Sequence, residues 1–184
     1  MANAGLQAKL RALPVLEGAS HPKAEFASFP ETPHQAFETW LDEAISANVP
    51  EPHAVTLSTV DEQGYPDARV LILKKIIAAG TSPSKPPAPK VDWTARSAMA
   101  KITAKVSRQS EPLNDPHELE AKMAEAVKSH EIEGQEPSSE GWVVYAVAPQ
   151  TVEFWQASSD RLHQRLKYTL DPAQSTWSKA ALWP

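Results

Sequence analysis

Apolar positions recur with helical spacing in three parts of the chain, and five further segments have the pattern or composition of strands. Thr32, Pro33, His34 and Gln35 read as a capping box with proline at the first helical position. Phe37, Trp40, Leu41, Ala44 and Ile45 then fall on one face, predicting a helix that ends near Asn48, before Pro50. Residues 54–60 alternate, with Val55 and Leu57 on one side and Thr56 and Ser58 on the other, as a half-buried strand does. Residues 61–64 (DEQG) supply a turn. Residues 68–74 (ARVLILK) are a continuous apolar run bounded by Arg69 and Lys74, which predicts the second strand of a hairpin, buried on both faces.

The pattern stops at residues 80–91, where four prolines and no periodicity predict an extended linker within 77–91. From Asp92, read as an N-cap, Ala95, Met99, Ile102 and Val106 mark a second helix. Asp115, Pro116 and Glu118 supply the cap, the first-turn proline and the capping-box acid of a third, with Leu119, Met123 and Val127 on one face. After a polar loop (131–140), residues 142–147 (WVVYAV) and 151–155 (TVEFW) predict two strands joined at Pro149. Residues 161–168 (RLHQRLKY) alternate almost strictly. As a strand they place Arg161, His163, Arg165 and Lys167 on one face and Leu162, Leu166 and Tyr168 on the other. Residues 1–31, weakly patterned and broken by Pro22 and Pro30, read as a loosely held arm ahead of a single domain over 32–184.

Composition narrows the class. A chain of 184 residues suffices for one core, and a net charge of −5 argues against a general nucleic-acid or membrane-surface binder. With no cysteine, disulfides and thiolate chemistry are excluded. No apolar run has membrane-spanning length and the N-terminus lacks a signal-peptide core, so a soluble cytoplasmic protein is the expectation. Glycine is scarce (six) and no phosphate-cradling or dinucleotide loop is present, which closes a Rossmann reading. The six histidines show no metal-ligand spacing, so no metal is expected.

The basic stripe Arg161/His163/Arg165/Lys167 is the strongest chemical feature that spacing supplies. Three permanent cations and an imidazole suit a phosphate ester, and a solvated face on an edge strand satisfies the same pattern. Arg69 and Lys74 lie five positions apart, so without a bulge they point to opposite faces about 17 Å apart. They fit opposite ends of a long ligand, and equally strand ends reaching water. Trp142, Trp155, Trp177 and Trp183 cluster late in the chain. Such residues build cores, interfaces or the flat walls of an aromatic ligand site.

Two long segments carry a family resemblance. Residues 51–74 (EPHAVTLSTVDEQGYPDARVLILK) resemble the first barrel hairpin of pyridoxamine 5′-phosphate oxidases. Residues 152–165 (VEFWQASSDRLHQR), with Trp177 and the closing Leu182, Trp183 and Pro184, resemble their C-terminal signature. Residues 107–113 (SRQSEPL) match as well and are close to the related flavin oxidases of phenazine biosynthesis. The resemblance implies an α+β fold, an FMN-binding split β-barrel with packed helices, assembled as a homodimer. It implies oxidation of pyridoxamine or pyridoxine 5′-phosphate to pyridoxal 5′-phosphate by O2, with release of H2O2. By the same resemblance Arg69, Val70, Leu71, Ile72, Gln109, Ser110, Trp155 and Arg165 would contact FMN. Lys74, Arg96, Arg161 and His163 would contact the substrate, with Arg161 and His163 the catalytic pair.

The sequence departs from that family between Lys74 and Asp92, where relatives carry several more barrel strands, among them the segment that grips the FMN phosphate. The barrel is therefore expected to be incomplete. The positions of the family's tyrosine and serine phosphate ligands around Arg96 fall here on Asp92 and Ala100. A non-catalytic dimerisation or ligand-binding remnant of the fold, and a flavin oxidase of another substrate such as a phenazine precursor, are the alternatives.

Overall fold

The computed structural model describes residues 4–14, 23–76, 89–134 and 137–184. It divides into two compact units, one drawn from residues 1–82 and 148–184 and the other from residues 83–147.

In the first unit, a short helix α1 (Ala4–Arg11) is followed by a single 3₁₀ turn (Phe26–Ser28), helix α2 (Pro33–Ser46) and strands β1 (Ala54–Val60) and β2 (Pro66–Ile72). The strands β3 (Thr151–Gln156), β4 (Gln164–Asp171) and β5 (Thr176–Ala181) complete it. β1 and β2 form one antiparallel hairpin; β3, β4 and β5 form a separate antiparallel sheet in that order. Among the described residues no strand joins the two into a closed barrel.

The three-stranded sheet carries the core on one face. Val152 pairs with Tyr168 and Phe154 with Leu166 across β3 and β4, and Tyr168, at 0% exposure, is the largest fully buried side chain. Phe26, Phe29, Ala36, Phe37 and Trp40 pack onto that face from the 3₁₀ turn and α2. The rings interlock edge to face, Phe29 with Phe154 at 5.3 Å and Phe154 with Tyr168 at 5.8 Å between centroids, an arrangement that the aromatic quadrupole favours. Residues 23–31 are therefore built into the core rather than held loosely. The Tyr168 hydroxyl donates to the Pro30 carbonyl at 2.7 Å and Lys179 Nζ to the Phe29 carbonyl at 2.6 Å. The Ala24 N–H donates to Gln156 Oε1 at 2.7 Å, so the entering chain hydrogen-bonds to the sheet along its length. Burial raises the Tyr168 pKa above the ordinary phenol value.

The hairpin forms where expected, its turn closed by Gly64 at φ 89° and by Asp61 Oδ1, which accepts from the N–H groups of Gln63 and Tyr65. Its second strand is not buried on both faces. Every residue of β2 is exposed, Val70 to 76%, because the strands that would cover it in a closed barrel are absent from the described residues.

The second unit is helical: α3 (Pro89–Thr94), α4 (Ala98–Val106) and α5 (Pro116–Glu133). The second predicted helix thus breaks in two. Ser97 caps α4 by accepting from the Ala100 N–H, and Asp92 lies inside α3 rather than at a cap. Trp93 and Ile102 are its buried apolar residues, with Lys101 buried beside them in α4. α5 begins as predicted, with Asp115 Oδ1 accepting from the His117 N–H at 3.0 Å. It runs three residues into the predicted polar loop and stops at Gly134, φ 63°. Asp115→Ala should destabilise this unit by about 1 kcal/mol, read as a lower urea midpoint of the helical signal; an unchanged midpoint would remove the cap from the account. Residues 142–147 form no strand. The linker predicted at 77–91 lies outside the described residues up to residue 88, and residues 89–91 open α3.

Candidate functional site

The outward face of the β3–β5 sheet brings together the residues with the most chemistry. Alternation that sends Phe154, Leu166 and Tyr168 inward sends Glu153, Trp155, Arg165 and Lys167 outward. Trp155 pairs directly with Arg165 and Glu153 with Lys167. The Arg165 guanidinium grips Glu153 with two donors, Nε to Oε1 at 2.8 Å and NH2 to Oε2 at 3.2 Å, and donates from NH1 to the Trp183 carbonyl at 3.1 Å. The hydrogen bond from Arg165 holds the Glu153 carboxyl below the usual carboxylate range, and the same bond raises Arg165.

The predicted four-residue basic stripe is only half a stripe. β4 begins at Gln164, so Arg165 and Lys167 occupy strand positions while Arg161 and His163 belong to the turn before it. Arg161 sits at φ 69°, left-handed for a residue with a side chain. The turn overrides the period-two pattern through local hydrogen bonds: Leu162 N–H to Asp160 Oδ1 at 2.9 Å, Arg161 N–H to the Ser158 carbonyl at 3.1 Å, and Ser158 N–H to His163 Nδ1 at 3.1 Å. The Ser158 hydroxyl, then the Leu162 N–H, lower the Asp160 pKa. Because His163 Nδ1 accepts, the neutral ring carries its proton on Nε2. The imidazole lies 5.2 Å from the Trp155 ring, and Trp155 is 46% exposed. Trp155, His163 and Arg165 thus form one cluster, with Arg161 on the adjoining turn.

On the hairpin, Arg69 NH2 bonds the neighbouring Asp67 at 2.9 Å in solvent. Val70, Leu71 and Ile72 are exposed, and Lys74 follows beyond the strand end. In the helical unit, Arg96 lies 4.4 Å over the Trp142 ring and donates to the Ala100 carbonyl at 3.3 Å. Its buried Nε has no hydrogen-bond partner among the described residues. Trp142 Nε1 donates to Asp92 Oδ2 at 3.0 Å. Gln109 and Ser110 form a turn after α4, Ser110 at φ 71°.

Glu153 escaped the sequence reading. Its signal was available: it stands two before Trp155, on the same strand face, one hairpin away from two cations.

The donor set around Trp155 suits a flat heterocycle with carbonyl acceptors. A half-exposed indole offers a wall, His163 offers Nε2–H, and Arg165 keeps two of its five N–H groups beyond those bonded to Glu153 and Trp183. Among the described residues the strand cations of that face are Arg165, paired with Glu153, and Lys167, opposite the same carboxylate. No group of three metal-ligating side chains occurs among the described residues, and no helix there is long and apolar enough to cross a membrane.

Residues 142–184 match the family model of the pyridoxine 5′-phosphate oxidase C-terminal dimerisation region. The pyridoxine/pyridoxamine 5′-phosphate oxidase of Thermosynechococcus vestitus is 32% identical over 193 residues, taking in 84% of this chain and 90% of that protein. The chain belongs to the pyridoxine/pyridoxamine 5′-phosphate oxidase family. The corresponding Haemophilus influenzae protein is 30% identical with the same coverage. Among solved structures, PhzG from Burkholderia lata 383 in complex with tetrahydrophenazine-1-carboxylic acid superposes with a TM-score of 0.74 at 26% identity, covering 90% of this chain and all of that one. Membership makes the chain an oxidoreductase of a flavin-oxidase family with the fold of an incomplete split barrel. The 193-residue alignment is longer than this whole chain, so the relative carries sequence that this chain lacks.

Proposed function

We propose that this protein is an FMN-dependent oxidase of the pyridoxamine/pyridoxine 5′-phosphate oxidase type, working as a homodimer. The observation that carries the reading is the Trp155, His163 and Arg165 cluster on the open face of the C-terminal sheet. Trp155 would flank the flavin ring, and the remaining Arg165 N–H groups would donate to its carbonyl oxygens. Arg69, Val70, Leu71, Ile72, Gln109 and Ser110 would supply further FMN contacts. Lys74, Arg96, Arg161 and His163 would hold the substrate, Arg96 through its anionic group.

FMN, held by Trp155 and Arg165, would supply the two-electron acceptor for oxidation of the substrate by O2 to H2O2. The protein's part is orientation and charge. Arg161 brings a permanent cation on a fixed turn. His163, its Nδ1 occupied by the Ser158 N–H, presents Nε2–H as a hydrogen-bond donor.

A second reading, a flavin oxidase of a carboxylated aromatic such as a phenazine precursor, is favoured by the surroundings of Arg96. Its guanidinium stacks on Trp142, and that indole is bonded to the Asp92 carboxylate, so the cation sits in acidic company that suits a monoanion better than a phosphate dianion.

Titration of the purified chain with FMN, followed by quenching of flavin fluorescence, should give saturable binding. Peroxide should then form with pyridoxamine or pyridoxine 5′-phosphate. Absence of quenching at high micromolar FMN would overturn the oxidase reading and leave a ligand-free remnant of the fold; peroxide from a tetrahydrophenazine carboxylate alone would establish the second.

A further inference from the structure

We propose that Glu153 is a positioning residue of the flavin site, fixing the Arg165 guanidinium in one orientation so that its two remaining N–H groups present a preset edge beside Trp155. The inference rests on the oxidase reading above.

An arginine on an open sheet face normally samples many rotamers, and ordering it on binding costs affinity. Here three contacts remove that freedom in advance. Glu153 takes Nε and NH2 along one edge in a fork-to-fork pair, the geometry that restricts a guanidinium most. The Trp183 carbonyl takes NH1 from another direction. That carbonyl is itself held, because the Leu182 N–H donates to the Arg165 carbonyl at 3.0 Å and so extends the β4–β5 ladder past Ala181. Both anchors thus come from strands flanking β4, one on each side. Register keeps them there: Glu153 lies opposite Lys167 and Trp155 opposite Arg165, so the carboxylate reaches diagonally to Arg165, within ordinary cross-strand range. The pair is partly exposed, where such bridges add little to folding, which leaves orientation as its main effect.

The test is FMN titration of the full chain carrying Glu153→Ala or Glu153→Gln, alone and combined with Arg165→Ala. Both single variants should melt close to the parent. Glu153→Ala should weaken FMN binding about tenfold, the scale of one charge-assisted hydrogen bond, and Glu153→Gln, which keeps one acceptor, should weaken it less. In the Arg165→Ala background, removing Glu153 should cause no further loss. Unchanged or tighter binding by Glu153→Ala, or an equal loss in both backgrounds, would overturn the proposal. Should the parent chain bind no FMN, the oxidase reading fails by itself and the Arg165 Nε–H resonance still decides the positioning. A sharp, slowly exchanging signal that broadens in Glu153→Ala supports it, and an identical signal in both proteins overturns it.

Discussion

Phe154→Ala should lower the stability of the first unit by about 3–5 kcal/mol, the usual cost of emptying a buried phenylalanine site. Phe154 is 3% exposed and touches three other rings, with Phe29 at 5.3 Å, Trp40 at 5.5 Å and Tyr168 at 5.8 Å. Truncation removes its own burial and leaves Phe29 and Tyr168 without an edge-to-face neighbour and Trp40 without a tilted one. The sheet beneath has only three strands, so little else can close over the cavity. Against a typical total of about 5–15 kcal/mol, such a loss brings the unit near its unfolding threshold. Phe29→Ala should fall in the same range, since Phe29 is buried in that same cluster and its carbonyl is tied to Lys179. Urea unfolding followed by near-ultraviolet circular dichroism gives both values, the midpoint falling while the slope stays fixed. A loss below about 1 kcal/mol for Phe29→Ala would mean that residues 23–31 merely lie on the sheet.

That Phe29 belongs in the core was not readable from its neighbourhood. Prolines and the lack of a period around it resemble an arm; what recruits the segment is aromatic surface on β3 and β4, far away in sequence. Elements specified locally were legible: the proline-initiated helices at Pro33 and Pro116, the cap at Asp115, and the hairpin closed at Gly64 all depend on residues within a few positions. Elements that require a distant partner were not. Residues 142–147 have the composition of a strand, yet strand preference is largely a preference for packing against neighbours, and they are unpaired among the described residues. The apolar run in β2 misled for the same reason, since its burial needs covering strands. At the site, the inward and outward split of β4 followed from alternation, while the turn at Arg161 depends on Asp160 and Ser158 and cut the basic stripe short. Family resemblance named Trp155, Arg165 and His163 as candidates; the cross-strand register adds Glu153, whose place two before Trp155 on the same strand face was already readable in the sequence.

On the proposed reading, Arg165→Ala should weaken FMN binding by about a hundredfold, the loss of two charge-assisted hydrogen bonds. The substitution does more than delete donors. It removes the largest of the interactions that hold the Glu153 pKa down, the Arg165 hydrogen bond, and leaves Lys167 as the cation opposite that carboxylate. Arg165→Lys separates the two effects: charge is retained, but an ammonium cannot grip Glu153 along one edge and present a second edge to a ring. Its binding should lie between the two, nearer to alanine. Stability should scarcely move in either variant, because the Arg165–Glu153 bridge is partly in solvent, with side chains 33% and 36% exposed. A binding constant that collapses while the melting temperature holds would therefore assign Arg165 to the ligand. If binding and melting fall together, Arg165 serves the sheet, and the flavin contacts must be sought on the hairpin at Arg69 to Ile72.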